Sequence, residues 1–236
     1  MAEQMTEEQL LFQERLNTGT SKTNNEFFER NGYLVIKNLW DTKELYRPVP
    51  KERGQMNYWG KRLDQFTYTE LEMQVEGSLA CYWHPQYRSI HSGIRLKLEK
   101  ELGKKLYNTY YYDRFYFPGQ ALKRHADRNA CEISVTVHIS SNIKEPWPIW
   151  IKTPDTYADK KKTIITQKGE NRSVILNAGD GMVYKGCERP HWRDPMPGKK
   201  KFWNIFKKEN LYYHQIFFHY VLADGQRVEC ANDMAK

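Results

Sequence analysis

The segment Tyr116-Phe117-Pro118-Gly119-Gln120-Ala121-Leu122-Lys123-Arg124-His125-Ala126-Asp127-Arg128 joins a turn to a His-x-Asp triplet. Pro118-Gly119 is a turn signal. Beyond it, His125 and Asp127 stand two positions apart, so on extended backbone both side chains point to the same side. An imidazole and a carboxylate so placed can grip one metal ion from one face. A second histidine from elsewhere in the fold would complete a facial set of three protein ligands and leave the far positions open. That donor set suits non-haem Fe(II) and oxygen chemistry. Most His-x-Asp triplets hold no metal, so the weight falls on the surrounding chain.

Outward from this segment the chain is rich in strands. Leu106 to Phe117 is aromatic and extended. Cys131 to Ile139 alternates apolar and polar residues, which predicts a half-buried strand. Pro146 to Ile151 predicts a short strand, Arg172 to Lys185 a strand–turn–strand unit around Ala178-Gly179-Asp180-Gly181, and Tyr212 to Leu222 a last strand. Many short strands with frequent turns imply a sandwich or jelly-roll barrel. The first half is different. Thr6 to Leu16 has a helical pattern with Thr6 as cap, and Thr18 to Asn24 is a polar arm. Asn25 to Gly32 predicts a short helix running into a strand at Tyr33 to Leu39. Asp41 to Gly103 reads as helix and loop, ending in a helix at Ser89 to Leu102 that Gly103 stops.

The 236 residues suffice for one large domain, and an aromatic share of 14% can build a core or line a deep pocket. No apolar run is long enough to span a membrane. The acidic N-terminus, Met1 to Glu8, lacks the basic and apolar regions of a signal peptide, which places the protein in the cytoplasm. Cys81, Cys131, Cys187 and Cys230 form no Cys-x-x-Cys pair, so they are expected to be thiols, not structural zinc ligands. The net charge of +8 lies largely in Lys160 to Lys162, Lys199 to Lys201 and Lys207-Lys208. These runs suit solvated loops, or attraction of an anionic substrate, including nucleic acid.

Four pieces in order resemble the Fe(II)/2-oxoglutarate-dependent oxygenases, near the prolyl-hydroxylase-like branch. They are Tyr116 before Pro118-Gly119; His125-Ala126-Asp127; Leu176-Asn177-Ala178-Gly179-Asp180-Gly181-Met182-Val183-Tyr184; and Pro190-His191-Trp192-Arg193-Asp194-Pro195. The separation of His191 from His125 fits the family's usual range. The resemblance covers residues 25 to 222, loosely at the start and well from 106. It implies a mainly β fold with supporting helices (α+β), built on a double-stranded β-helix, the jelly-roll or cupin-like core. It divides the chain into an N-terminal helix and arm (1–24), a helical support region with a first strand (25–105), the catalytic core (106–223) and a C-terminal tail (224–236), in one structural domain. It implies His125, Asp127 and His191 as ligands of Fe(II), with 2-oxoglutarate and O₂ as co-substrates. A carboxylate at Asp127 favours hydroxylation, since halogenating relatives carry a small residue there.

The co-substrate pocket departs from the family pattern. Its members usually hold the far carboxylate of 2-oxoglutarate with a cation on the last barrel strand. Lys201 has the spacing but lies in a polar insertion. Aligned by the strand, the position falls near Tyr213, with Gln215 next on the same face, and neither is cationic. Arg193, two residues after His191, points into the same interior on an extended strand and either replaces that cation or pairs with Asp194 or a surface acid; Tyr116 either supplies a hydroxyl to the same pocket or packs as a core aromatic. Arg128 and Lys152 are further candidates. His138, His214 and His219 lie on predicted strands as core or rim groups, and His84 and His91 as surface or packing residues. Trp147, Trp150 and Trp192 serve core packing or wall the pocket.

The expected activity is hydroxylation of an unactivated C–H bond. The resemblance favours a peptide or amino-acid substrate; a metabolite or nucleic acid stays open, although no nucleic-acid motif is present. Two competing readings are a non-enzymatic β-barrel module whose aromatic surface binds a glycan or protein, and a cupin-type dioxygenase that needs no keto acid. The latter sites usually carry more histidines.

Overall fold

The structure, a computed structural model, describes residues 21–50, 74–198 and 211–231. The helix expected at residues 6–16 and the cation candidate Lys201 lie outside these residues. Helix α1 (Ser21–Asn31) opens the described chain and leads into strand β1 (Tyr33–Ile36). The helix starts earlier than expected, inside the polar arm. Phe27 and Phe28 bury its apolar side in the core, and tertiary packing extends helices beyond local preference. Strand β1 ends sooner than the apolar pattern suggests, because Asn38 turns the chain with φ of 48°. Asp180 then holds the turn, accepting from Lys37 Nζ (2.7 Å) and the Asn38 N–H (3.1 Å).

A one-turn helix, α2 (Thr42–Leu45), is capped by Asp41, whose side chain accepts from the Lys43 N–H. Strand β2 (Leu79–Tyr82) was not expected in this helix-and-loop region. Four residues are too short to show a period, and it is a strand because β3 offers it a ladder. Helix α3 (Arg88–Leu102) follows, and Gly103 ends it in the left-handed conformation at φ 62°, as its position as stop signal predicts.

The β elements are β3 (Leu106–Tyr116), β4 (Leu122–His125), β5 (Ile133–Ser141), β6 (Ile149–Lys152), β7 (Thr156–Tyr157), β8 (Ile165–Gln167), β9 (Asn171–Val174), β10 (Gly181–Lys185), β11 (His191–Arg193) and β12 (Tyr213–Leu222). They form a large sheet in the order β1-β10-β5-β12-β3-β2 and a smaller one in the order β4-β11-β6-β9. The pairings in both are antiparallel. A separate β7–β8 hairpin carries the Lys160 to Lys162 run at its tip and was also not expected. The fold is thus mainly β with supporting helices. No helix among the described residues is long and apolar enough to cross a membrane.

Alternation along the long strands sorts the interior into two sides. On β5, Ile133, Val135, Val137 and Ile139 join the core cluster that includes Ile94, Leu98 and Leu102 of α3. On β12, Phe218 and Tyr220 do the same, and His91 of α3 stacks on Phe218 with ring centroids 5.5 Å apart. The opposite faces carry Ser134, Thr136 and His138 on β5 and Tyr213, Gln215, Phe217 and His219 on β12. All seven are buried. The polar side of β5 therefore does not face water, as a half-buried strand would; it lines the space between the two sheets.

Candidate metal centre

Antiparallel pairing of β4 with β11 sets His191 directly opposite His125, with ring centroids 4.3 Å apart. Asp127 lies just past the end of β4, not on the strand, and is held there because its N–H donates to the Gly186 carbonyl at 2.9 Å. Asp127 Oδ1 is 3.4 Å from His125 Nε2 and 3.5 Å from His191 Nε2. One donor atom from each residue lies within 4.8 Å of the others. The triplet and the distant histidine thus converge on one point.

The tautomers of both histidines follow from their second nitrogens. His125 Nδ1 donates to the Lys123 carbonyl (2.7 Å) and His191 Nδ1 to the Arg189 carbonyl (3.0 Å). A carbonyl only accepts, so each Nδ1 carries the proton and each Nε2 keeps a lone pair aimed at Asp127. Gln74 Nε2 donates to His125 Nε2 at 2.8 Å, which agrees with that assignment. The Tyr184 hydroxyl stands 3.5 Å from His191 Nε2.

The electrostatics keep the Asp127 carboxylate charged. Burial by itself raises the Asp127 pKa, but His191, His125, His219 and the Ser134 hydroxyl outweigh it and hold the carboxyl well below its usual range. Burial also pushes His125 down, yet Asp127 and the Lys123 carbonyl, both of which favour the protonated ring, bring it to a net rise. His191 is deeper, and burial wins there over the attraction of Asp127, so its pKa falls.

Beside this point lies a buried cation. Arg193 is 1% exposed. Its Nη1 donates to the Trp147 carbonyl (2.6 Å), and its Nη2 to Gln215 Oε1 (2.8 Å) and the Tyr213 hydroxyl (3.3 Å). The guanidinium lies over the rings of Trp147 and Tyr213, at 4.6 and 4.7 Å. Its Nε has no hydrogen-bond partner and no carboxylate pairs with it among the described residues. Guanidinium does not deprotonate, so this is a charge buried among neutral groups. Tyr116 is also buried, edge-on to Trp147, and its hydroxyl accepts from Arg114 Nη1 at 3.1 Å. Arg193, Tyr213, Gln215 and Tyr116 therefore share one wall, as their positions in sequence suggest.

The other candidates separate. Lys152 pairs with Asp155 at 3.1 Å, and Arg128 lies over the Tyr110 ring at 4.5 Å. Trp147 packs against Arg193, Tyr116 and Tyr213. Trp150 and Trp192 stack on each other, 5.9 Å apart, and Arg124 covers Trp192. His214 is buried in a hydrogen bond with Asp113 (2.7 Å), and His138 stacks on Tyr213 (4.2 Å). Arg114, Gln74, Ser134 and His219 were not foreseen as site residues. Arg114 donates through Nη2 to Gln74 Oε1 (3.1 Å), which links it to His125. A signal for them existed: Tyr110, Tyr112, Arg114 and Tyr116 fall on alternate positions of one strand, as do Ser134, Thr136 and His138 of another.

Neither a family model nor a curated protein matches the chain. Solved structures do. The epimerase SnoN from nogalamycin biosynthesis, non-haem and alpha-ketoglutarate dependent, superposes with a TM-score of 0.57 at 12% identity, covering 85% of this chain and 82% of SnoN. Another SnoN structure holds Fe3+, alpha ketoglutarate and nogalamycin RO. An oxidoreductase of the 2OG-Fe(II) oxygenase family from Burkholderia pseudomallei gives 0.54 at 10% identity, over 86% of this chain and 92% of its own. A Trichoplax adhaerens prolyl hydroxylase, solved with a hypoxia inducible factor peptide fragment, gives 0.51 at 12%, over 92% and 94%. This chain has the jelly-roll fold of the Fe(II)/2-oxoglutarate-dependent oxygenases.

Proposed function

We propose that this protein is an Fe(II)- and 2-oxoglutarate-dependent oxygenase that hydroxylates a C–H bond of a peptide or amino-acid-like substrate. The observation that carries the reading is the convergence of His125 Nε2, His191 Nε2 and Asp127 Oδ1 beside the buried, carboxylate-free Arg193. Two imidazole nitrogens and one carboxylate oxygen are the donor set that suits Fe(II) with open positions. His125, Asp127 and His191 would hold the metal, and Arg193, with Tyr213 and Gln215, would bind the distal carboxylate of 2-oxoglutarate. A two-pronged bond from guanidinium to carboxylate would offset the burial of that charge. Bound iron with 2-oxoglutarate supplies the oxidation of the substrate by O₂. The chain's own contribution is positioning: backbone carbonyls fix both imidazoles, and Arg193 would anchor the far carboxylate of the keto acid.

An aromatic wall supports an amino-acid-like substrate. His219 lies 4.5 Å from Tyr110 and 5.9 Å from Tyr112, which stacks on Phe217 (4.6 Å) and on the half-buried Tyr82 (4.7 Å). Such rings bind a side chain or ring by area, without requiring charge. None of the four cysteines is cross-linked, which supports a reducing compartment such as the cytoplasm. The decisive experiment is anaerobic purification, addition of Fe(II), 2-oxoglutarate and O₂, and measurement of succinate with a panel of peptides and amino acids. The reading expects Fe(II)-dependent succinate, a panel member that gains one oxygen atom by mass, and loss of both in His125→Ala. Absence of metal-dependent succinate with every panel member would sink it.

A further inference from the structure

Behind Asp127 lie a hydroxyl and an imidazole that hold neither the metal nor the keto acid in the proposed chemistry. Ser134 Oγ is 2.8 Å from Asp127 Oδ2 and 3.0 Å from His219 Nδ1, and both Ser134 and His219 are buried. A carboxylate accepts and a hydroxyl has one proton to give. Ser134 therefore donates to Asp127 Oδ2, and His219 Nδ1–H donates to Ser134. The Cys131 carbonyl, 3.2 Å from Ser134 Oγ, is the more distant and uncharged alternative acceptor. The opposite tautomer of His219 would bury an N–H at Nε2, where no partner stands among the described residues. A bare lone pair there is the lesser penalty. Tyr110 and Tyr112 pack against the ring, with centroids 4.5 and 5.9 Å away.

Gly186 closes the remaining approach. A side-chain carbon at this position would stand 2.5 Å from Asp127 Oδ2, 2.6 Å from Ser134 Oγ and 2.2 Å from the Cys131 carbonyl oxygen. Asp127 Oδ2 is thus enclosed by Ser134 and bare backbone, and only Oδ1 turns toward the two imidazoles. Asp127, Cys131 and His219 also lie within 4.8 Å of one another, a spacing that could hold a second ion. Ser134 already engages Asp127 Oδ2 and His219 Nδ1, and the Tyr110 hydroxyl lies 3.2 Å from Cys131 Sγ. The cluster is accounted for as a hydrogen-bond chain.

From this geometry we infer that Ser134 and His219 are positioning residues that make Asp127 a one-oxygen metal ligand, keeping the remaining coordination positions for co-substrate and O₂. The inference rests on the metal-centre reading above. A partner that fixes a ligating group typically alters metal affinity ten- to a hundredfold when removed. The test uses Co2+ as probe, with affinity from calorimetry and coordination from the d–d absorption. Ser134→Ala is expected to weaken Co2+ binding about tenfold or more and to change the d–d spectrum. His219→Phe should copy it, and the double variant should be no worse than Ser134→Ala, since both act on one chain of bonds. His219→Asn, which keeps an N–H donor near Nδ1, should bind more tightly than His219→Phe. Wild-type affinity and spectrum in folded Ser134→Ala and His219→Phe would overturn the inference. If Ser134→Ala does not fold, the comparison of His219→Phe with His219→Asn decides, and equal affinities in that pair overturn it. A wild-type protein that binds no Co2+ would remove the metal centre itself, and the inference with it.

Discussion

Arg193 keeps its guanidinium between neutral acceptors and two aromatic rings, with Nε unbonded among the described residues. Burying such a charge without an anion is unfavourable, and a bound carboxylate reverses the sign. Truncating one member of a buried charge-assisted pair commonly costs 2 kcal/mol or more, about thirtyfold or more in affinity. Arg193→Ala is therefore expected to weaken N-oxalylglycine binding by roughly that factor while leaving Mn2+ binding nearly intact, as calorimetry would show. Unchanged affinity for the analogue would move the role to Lys201. Arg193 was legible in the sequence because its placement needs only a strand period of two from His191. Its partners Tyr213 and Gln215 were legible as positions on the last strand, but their contact with Arg193 depends on how the two sheets face each other.

The β10–β11 connection carries the tightest constraint near the site. It places Gly186 against the Asp127 carboxylate, and the Gly186 N–H donates to the Glu132 carbonyl (3.1 Å) while its own carbonyl accepts from Asp127. Overpacking of this kind typically destabilises by about 1–3 kcal/mol. Gly186→Ala should therefore lower the thermal midpoint and, by displacing Asp127, also weaken Mn2+ binding. A variant with unchanged midpoint and metal affinity would show that the backbone yields there without consequence. Among elements, the long strands β3, β5 and β12 were readable from composition and alternation. Strand β2 and the β7–β8 hairpin were not, because short strands exist only through their partners' ladders. The function of β5 was misread for a related reason. A strand with apolar residues on one face and Ser134, Thr136 and His138 on the other looks half-exposed until a second sheet covers it.

Across the whole molecule, the proposed metal and keto-acid ligands join residues from both sheets, so binding should stabilise the fold as a unit. At a hundredfold excess over Kd, linkage contributes about 2.7 kcal/mol. For a chain of this size that is a rise of roughly 5–10 °C in the thermal midpoint. Mn2+ with N-oxalylglycine should produce it, and Asp127→Ala should abolish it. The gain should also depend on pH. His125 is raised above its ordinary 6.5 by Asp127 and the Lys123 carbonyl. Without metal, the protonated His125 therefore adds stability that is present at low pH and lost as pH rises through its folded pKa. The metal needs the neutral imidazole, so its contribution grows over that same range. Scanning calorimetry with and without Mn2+ should show the ligand-induced rise in midpoint shrinking as pH falls from 8 to about 6; a pH-independent rise would exclude His125 as a ligand.

By itself the sequence determined the strand-rich class, the His-x-Asp pair and the distant histidine, and made Arg193 a candidate, because each rests on local periodicity or on the order of motifs along the chain. The tertiary structure alone decided that Asp127 turns one oxygen to the metal point, that Ser134 and His219 stand behind the other, and that Arg114 reaches His125 through Gln74. Apart from the Asp127–Ser134 bond, those contacts join residues far apart in the chain, through the β5–β12 pairing and the facing of the two sheets. Which strands pair and how closely the two sheets approach are properties of the assembled fold, and the pattern of one strand does not name its partners.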